Sequence, residues 1–278
     1  MSLEIESVPG DPPFGAFAPS LPLRLVGAMT RALPDVEFCR RVAVTIRPLG
    51  MLGGRGIVDA EVLGSRMRID LSDNVCEKRA LFTPQFFDPA ELRALAEAAT
   101  EDFAFVDLGA NVGLYSLAVA RAVGPSARIL AVEPQPDIYR RLSFNLRANG
   151  LTRVRAVRCA VSDHGEDTTM FVDRGNKGAS SIVGSGADQG PTVVVPCRTL
   201  DSLLDDAGIH RPDAIKLDIE GAEHRVLTQF FGAAAEDRWP RMILIETHHN
   251  KACIKMCLVH GYHLAQRTRR NVILRRPA

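Results

Sequence analysis

The residues with the clearest chemical potential form a glycine turn at the end of an apolar run. The stretch VDLGANVG at 106–113 ends a predicted strand and opens a predicted helix. Gly109 and Gly113 let the backbone turn and let a ligand come close, and the free N–H groups of a helix start favour an anionic group. Asp107 would repel a pyrophosphate, so it fits a ligand that carries an ammonium group. Asn111 stands where a GxGxxG dinucleotide motif has glycine, which argues against that motif.

A second acid, Glu133, follows the next predicted strand in LAVEP at 130–134, 24 residues after Gly109. A carboxylate in this place can accept hydrogen bonds from both hydroxyls of a ribose, as it does in dinucleotide sites. Taken with the glycine turn, it selects a nucleoside that has a free amino-acid end. S-adenosylmethionine has these features, and we expect Glu133 and Pro134 to contact it.

Four further residues are candidate catalytic groups because they follow two predicted strands directly. Asp218 and Glu220 follow the strand at 214–217, while Glu246 and His248 end or follow the strand at 242–246. Side chains of these types can align a polar substrate and take up a proton from it. A histidine has a reference pKa of about 6.5, which suits proton acceptance. The alternatives are a helix N-cap for Asp218 and an exposed loop position for His248.

Other polar and small residues near these turns complete the predicted donor site. The adenine is expected against CAVSD at 159–163. The full predicted donor set is Asp107, Gly109, Asn111, Gly113, Tyr115, Ser116, Glu133, Pro134, Ala160, Val161, Ser162 and Asp218. Lys216 lies within an apolar strand and needs a partner there, because burying an unpaired charge is costly. Asp218 and Asp107 are the candidates, and the pair is predicted to be structural.

A metal site is possible but not favoured by the sequence. The histidines and cysteines near the C-terminus are His248, His249, Cys253, Cys257, His260 and His263. They lack a zinc-ligand spacing, so two core cysteines and scattered histidines are the preferred interpretation. A hard divalent cation at Asp218 and Glu246 is a separate possibility, because it would lower the pKa of an acceptor hydroxyl.

Strands and helices must alternate to bring these turns to one edge of a sheet. Predicted strands occupy 103–108, 128–132, 154–161, 214–217 and 242–246, with helices at 114–122, 138–148, 222–231 and 251–260 between or after them. A closing hairpin is expected at 262–266 and 271–275. This alternation predicts an α/β fold with a mainly parallel sheet and helices on both faces.

The front of the chain is predicted to cap this domain. We divide the chain into an N-terminal arm, helix and hairpin at 1–88 and a main domain at 89–278. One amphipathic helix or two short ones around Pro34 are expected at 23–42, and a hairpin at 57–71. Asp88 is expected to cap a helix that has Pro89 at its first position. The glycine-rich stretch at 173–192 is expected to be either a surface connection or a mobile lid.

The near-neutral composition argues against a nucleic-acid-binding function. The 278 residues contain 34 Lys+Arg and 33 Asp+Glu, which leaves a net charge of +1 and no basic footprint for nucleic acid. Six cysteines without a CxxC pair are typical of reduced thiols, and we expect a cytoplasmic protein without a signal peptide or membrane span. The apolar stripe at 23–33 could pair two subunits. The basic end at 267–276 is expected to be solvated or to attract an acidic substrate.

Four segments together resemble the FkbM-type methyltransferases: VDLGANVGLYS, AVEPQPDIYRRLSFNLRANG, IKLDIEGAEHRVL and ILIETH. The resemblance covers about 90–275, and KLDIEGAE at 216–223 is its most specific part. It implies a Rossmann-like class I methyltransferase with a seven-stranded sheet that binds S-adenosylmethionine. It also implies O-methylation of a hydroxyl on a sugar or polyketide-like small molecule or glycan, and ligand contacts from Ser180 and Ser181. The alternatives are an NAD-type oxidoreductase and a non-catalytic donor-binding protein.

Overall fold

Helices and strands alternate along the chain, after a front section that has its own hairpin. The computed structural model describes residues 11–54, 56–173, 175–182, 191–246 and 251–277. Its front section contains α1 (Leu21–Arg31), α2 (Glu37–Gly50), β1 (Ile57–Val62), β2 (Ser65–Asp70) and α3 (Val75–Phe82). The pattern around Pro34 therefore yields two helices, and the predicted hairpin is confirmed, with β1 and β2 antiparallel.

The remaining elements build the main sheet and its covering helices. They are α4 (Pro89–Ala98), β3 (Ala104–Leu108), α5 (Leu114–Ala122), β4 (Arg128–Val132), α6 (Pro136–Ala148), β5 (Val154–Val157), β6 (Ala160–Val161), β7 (Thr168–Phe171), β8 (Thr192–Val195), β9 (Cys197–Arg198), α7 (Leu200–Asp206), β10 (Ala214–Leu217), α8 (Glu223–Ala233), β11 (Met242–Glu246), α9 (Lys251–Val259), β12 (His263–Arg267) and β13 (Asn271–Arg275).

Seven strands form the main sheet in the order β12-β13-β11-β10-β3-β4-β5. The five strands from β11 to β5 are parallel, and β13 is antiparallel to both of its neighbours. The predicted Rossmann-like α/β fold with a mostly parallel seven-stranded sheet is therefore confirmed. After β3 the chain continues to β4 on one side, and later returns to β10 on the other. The crevice beyond the carboxyl ends of β3 and β10 is thus the switch point where such sheets bind ligands.

The sheet separates two hydrophobic cores. In β3, Phe105 points into the core that contains α4, α5 and α6, whereas Val106 and Leu108 point into the core that contains α7, α8 and α9. This alternation follows from the two-residue period of a strand. Because both faces are covered, the strand reads as a continuous apolar run interrupted only by Asp107, and that aspartate is fully buried.

The hairpin β1–β2 packs against α6 through buried polar contacts. Arg68 forms an ion pair with Asp59 at 2.8 Å, and its backbone N–H donates to Asn145 Oδ1 at 2.6 Å. Asn145 Nδ2 donates in turn to the carbonyl of Val112, in the glycine turn, at 3.0 Å. The front section is therefore connected directly to the turn where the site lies. Within the described ranges, no helix is long and apolar enough to cross a membrane.

Three local expectations are corrected. Asp88 has φ 44° and makes no side-chain cap, and its carboxylate instead accepts hydrogen bonds from Arg79 and from the Tyr115 hydroxyl. The strand predicted at 154–161 ends at Val157, and the next two-residue strand pairs with β9 outside the main sheet. The helix α3 was not predicted, because its start depends on Asn74, whose side chain accepts from two backbone N–H groups.

In the apolar stripe at 23–33, which could pair two subunits, Leu23 is buried within the chain itself. The exposed large apolar side chains of α1 are Leu21, Leu25 and Met29.

Candidate functional site

The glycine turn after β3 passes so close to β10 that its first position must be glycine. Gly109 has φ 73°, and a Cβ placed on it would lie 1.9 Å from the carbonyl oxygen of Asp218. Asn111 has φ 51° and Gly113 has φ 93°, so three residues of the turn are in the left-handed region. Asparagine tolerates this region better than most residues, which permits Asn111 to stand where related motifs have glycine.

Asp107 lies behind this turn rather than on the surface of the cavity. Its Oδ2 accepts hydrogen bonds from the Ser116 hydroxyl at 2.7 Å and from the Ser116 N–H at 3.2 Å. Its Oδ1 lies 3.6 Å from Lys216 Nζ. Burial raises the pKa of Asp107, although Lys216 opposes the rise. Asp107 and Ser116 are both fully buried and support Lys216 and the turn, and their contact with a ligand stays a prediction.

The first lobe of the cleft, which we call the donor lobe, lies between the carboxyl ends of β3, β4 and β10. Its volume is about 570 Å³. The lining residues are Gly109, Asn111, Val132, Glu133, Pro134, Cys159, Ala160, Val161, Met170, Lys177, Gly178, Ser180, Ile182, Asp218, Ile219 and Glu220. One part of this wall is apolar and the other carries carboxylates, which matches a flat base attached to a polyhydroxylated sugar.

Glu133 is the best-defined polar group of the donor lobe. Its Oε2 accepts from the backbone N–H of Asn111 and its Oε1 from that of Gln135, both at 2.9 Å. A carboxylate has about four lone-pair sites, so it keeps acceptor capacity for a diol. Burial raises the pKa of Glu133 to about 7, although both N–H donors oppose the rise. The side chain is thus oriented by two turns and faces the cavity in the place that its spacing predicted.

The second lobe, which we call the acceptor lobe, is larger and is lined by more charged and amide side chains. Its volume is about 780 Å³. The lining residues are Val75, Cys76, Arg79, Phe87, Asp88, Gly109, Ala110, Asn111, Leu114, Tyr115, Asn176, Gly178, Lys216, Asp218, Glu220, Glu246, Arg270 and Asn271. The two lobes share Gly109, Asn111, Gly178, Asp218 and Glu220, so a molecule in one lobe can approach a molecule in the other at these residues.

Three predicted catalytic acids converge where the lobes meet. Asp218 forms an ion pair with Lys216 at 3.3 Å and a side-chain hydrogen bond with Glu246. Burial, followed by the charge of Asp218, raises the pKa of both Glu220 and Glu246 to about 7. Glu220 has φ 50°, an uncommon backbone conformation for this residue type. The fourth candidate, His248, lies outside the described residues.

The remaining predicted donor residues divide between the cavity wall and its support. Pro134, Ala160 and Val161 line the donor lobe, and Tyr115 lines the acceptor lobe, with its hydroxyl donating to Asp88 at 3.1 Å. Gly113 instead lies at the N-cap of α5. The hydroxyl of Ser162 donates to Asp163 at 2.8 Å, and its contact with the adenine stays a prediction.

Sequence reasoning missed the residues that the front section contributes. Cys76, Arg79 and Asp88 line the acceptor lobe from α3 and from the start of α4. The carboxylate of Asp88 is held by Arg79 at 3.1 Å and faces the cavity beside the Lys216–Tyr115 pair. The sequence signal for this wall was Asp88, an acid directly before a predicted helix. Its carboxylate bonds to Arg79 and Tyr115 instead of capping that helix.

The two cysteines of the C-terminal cluster are part of a hydrophobic core. Cys253 and Cys257 lie on the buried face of α9, and burial raises the pKa of each thiol to about 12. His260 stacks on Phe231 with the ring centroids 4.4 Å apart. Among the residues that the structure describes, no group of three His, Cys, Asp or Glu side chains could hold a metal ion.

Comparisons with known proteins agree with this geometry. The Methyltransferase FkbM domain matches residues 107–263. Methyltransferase sdnD of Sordaria araneosa is 31% identical over 200 residues, which span 61% of this chain and 73% of that protein. Hexuronic acid methyltransferase AglP of Haloferax volcanii is 27% identical over 161 residues, which span 56% of this chain and 61% of that protein.

A solved structure of M. jannaschii TYW2 in complex with AdoMet also resembles the chain, with a TM-score of 0.44 and 12% identity over 81% of this chain and 89% of that one. The domain match spans more than half of the sequence and includes the glycine turn, Glu133, the three acids and β11. The chain therefore belongs to the FkbM family of S-adenosylmethionine-dependent methyltransferases.

Proposed function

We propose that this methyltransferase transfers a methyl group from S-adenosylmethionine to a hydroxyl of a polyhydroxylated acceptor such as a sugar. The observation that carries the proposal is the acceptor lobe, where charged and amide side chains surround an acid cluster. A hydroxyl-rich acceptor can pair with such groups. An apolar polyketide-like acceptor would displace water from these groups without replacing its hydrogen bonds, which lowers affinity.

The donor lobe fits the donor by its own residues. Val132, Val161 and Ile182 offer apolar contact for a base, and Glu133 offers oriented acceptor atoms for a ribose diol. Arg79 of the acceptor lobe offers a cation for the carboxylate of the amino-acid end. When bound, S-adenosylmethionine supplies an electrophilic methyl group. The chain has to align the acceptor hydroxyl with that group and take up its proton.

Proton uptake is assigned to the Asp218–Glu246 pair. The pKa of Glu246 is near 7, and a general base is most effective when its pKa lies near the working pH. Lys216 stabilises the negative charge of Asp218, because its Nζ lies 3.3 Å from Asp218 Oδ2. The acceptor hydroxyl would donate its proton to this pair as its oxygen bonds to the methyl carbon. Glu220, at the same junction, is the second candidate.

Two other interpretations are weaker. The matched domain is a methyltransferase domain, which does not support an NAD-type oxidoreductase. A protein that binds the donor without turnover would not need an acid pair with a pKa near 7 at the junction of two lobes. AglP is named a hexuronic acid methyltransferase, which makes uronic acids a sensible first group of acceptors to assay.

The decisive experiment has two stages. Calorimetry with S-adenosylmethionine and with S-adenosylhomocysteine tests the donor lobe, and no binding of either would refute the proposal. Formation of S-adenosylhomocysteine is then measured with neutral sugars, uronic acids and apolar phenols. We expect turnover with a sugar or a uronic acid. Turnover with phenols alone would refute the sugar acceptor and favour a polyketide-like acceptor.

Asp218→Asn should lose turnover, whereas Glu166→Gln, at an exposed position that lines neither lobe, should keep it.

A further inference from the structure

A short segment inside the matched domain borders the cleft and is held by residues that lie upstream of that domain. Residues 175–182, which we call the strap, lie across both lobes. Lys177, Ser180 and Ile182 line the donor lobe, Asn176 lines the acceptor lobe, and Gly178 lines both. A donor that enters or leaves the cleft therefore passes beside the strap.

The strap is attached to the front section by its backbone and by one lysine. The N–H of Lys177 donates to the Asp73 carbonyl at 2.7 Å, and the N–H of Val75 donates to Asn176 Oδ1 at 3.1 Å. Lys177 Nζ forms ion pairs with Asp73 at 2.9 Å and with Asp137 at 2.8 Å. These contacts raise the pKa of Lys177, and the Lys177 contact lowers the pKa of Asp137. One ammonium thus joins the strap, the front section and α6.

The same part of the front section also holds the glycine turn. Asn74 Nδ2 donates to Asn111 Oδ1 at 2.8 Å, while Asn74 Oδ1 accepts from the first N–H groups of α3. Gly178 of the strap packs on this amide pair so tightly that an added Cβ would lie 2.6 Å from Asn111 Nδ2. Asn111, which stands where related motifs have glycine, is therefore hydrogen-bonded by Asn74 of the front section. The strap packs against this pair of side chains through Gly178.

The far end of the strap is attached to the acid cluster. Ser181 Oγ donates to the carbonyl of Glu220 at 2.7 Å, and Ser181 forms a backbone bridge with Phe171 of β7. The strap therefore spans from the front section to the turn that carries Asp218 and Glu220. Its position is set by contacts on both sides of the cleft.

We infer that Lys177, with Asp73 and Asp137, is a latch that closes the strap over the bound donor and sets the rate at which the demethylated product leaves. The latch lysine is partly exposed, so its ion pairs can open and reclose without unfolding. The inference rests on the donor half of the proposed function and is independent of the acceptor. Lys177 is a positioning residue, because its ammonium acts through the strap.

The test measures dissociation of S-adenosylhomocysteine by stopped-flow competition on the full chain. Two partly exposed ion pairs are each of modest strength, so we expect Lys177→Ala to accelerate dissociation by about 3–10-fold. Asp137→Asn should give a smaller acceleration, and Lys177→Arg should restore much of the wild-type rate. Lys78→Ala is the matched control, a lysine of the same front section that lines neither lobe.

Salt dependence separates the latch from a general loss of structure. Raising the salt concentration screens partly exposed ion pairs, so dissociation from the wild type should become faster with salt while dissociation from Lys177→Ala should hardly change. An unchanged dissociation rate in both Lys177→Ala and Asp137→Asn would overturn the latch while leaving the donor assignment intact. Absence of product binding to the wild type would overturn the donor assignment, and the latch with it.

Discussion

Replacing Lys216 by methionine tests whether the buried ion network supports the site. Lys216 Nζ lies 3.3 Å from Asp218, 3.6 Å from Asp107 and 3.3 Å from the Gly109 carbonyl, and its side chain is 9% exposed. Methionine has a similar length and no charge. The change leaves the fully buried Asp107 without its cation, and among the described residues Asp107 Oδ1 has no hydrogen-bond partner to compensate.

The expected loss of stability follows from the burial of that pair. Removing one partner of a buried ion pair costs about 3–5 kcal/mol, chiefly because the other charge stays buried and unpaired. We expect Lys216→Met to lower the free energy of unfolding at pH 7.5 by about 3 kcal/mol, measured by urea denaturation. Adding Asp107→Asn should recover much of this loss, because the amide carries no charge.

The pH dependence of the variant has a definite sign. Burial raises the pKa of Asp107, so the folded state binds its proton more readily than the unfolded state, and stability increases as the pH falls through that range. Without Lys216 the pKa of Asp107 rises further, so Lys216→Met should lose less stability at pH 5.5 than at pH 7.5. A loss below about 1 kcal/mol at pH 7.5, or a double variant no more stable than the single one, would refute the proposed coupling.

Three further predictions concern the cleft. Asp218→Asn and Glu246→Gln should each lower the turnover number at least tenfold with little change in calorimetric donor affinity; a reversed pattern would make them binding residues. Since the pKa of Glu133 is about 7, donor affinity should fall as the pH is lowered from 8 to 6, and Glu133→Gln should abolish this dependence. Gly109→Ala should unfold or lose donor binding, because its Cβ meets the Asp218 carbonyl at 1.9 Å; normal binding would contradict the close approach.

Local sequence patterns predicted most of the sheet and the acids at its edge. The apolar runs at β3, β4, β10 and β11 were visible because strands covered on both faces leave a continuous signal. Glu133 and Asp218 followed from their positions directly after strands. Apolar runs and the residues that follow them are local features, so they can be recognised in a single sequence.

The latch and the front wall of the acceptor lobe could not be predicted in this way. Lys177 meets Asp73 and Asp137 across separations of 104 and 40 residues, and no local pattern records such pairings. The surroundings of Asp107 could not be predicted for a related reason. Alternation along β3 gives the face of the sheet on which a side chain lies, but it does not show that Ser116 and Lys216 contact the carboxylate.

Trp239 and Cys76 lie on opposite sides of the main sheet, so each can report on changes in its own layer. Trp239 is the single tryptophan and packs on Phe231 in the core beneath α8 and α9. Cys76 lines the acceptor lobe from α3, and burial raises the pKa of its thiol to about 12, so alkylation should be slow. Tryptophan fluorescence therefore follows one layer, and thiol footprinting of Cys76 follows the other. An acceptor that protects Cys76 from alkylation without changing the fluorescence of Trp239 would be located in the cleft without any engineered probe.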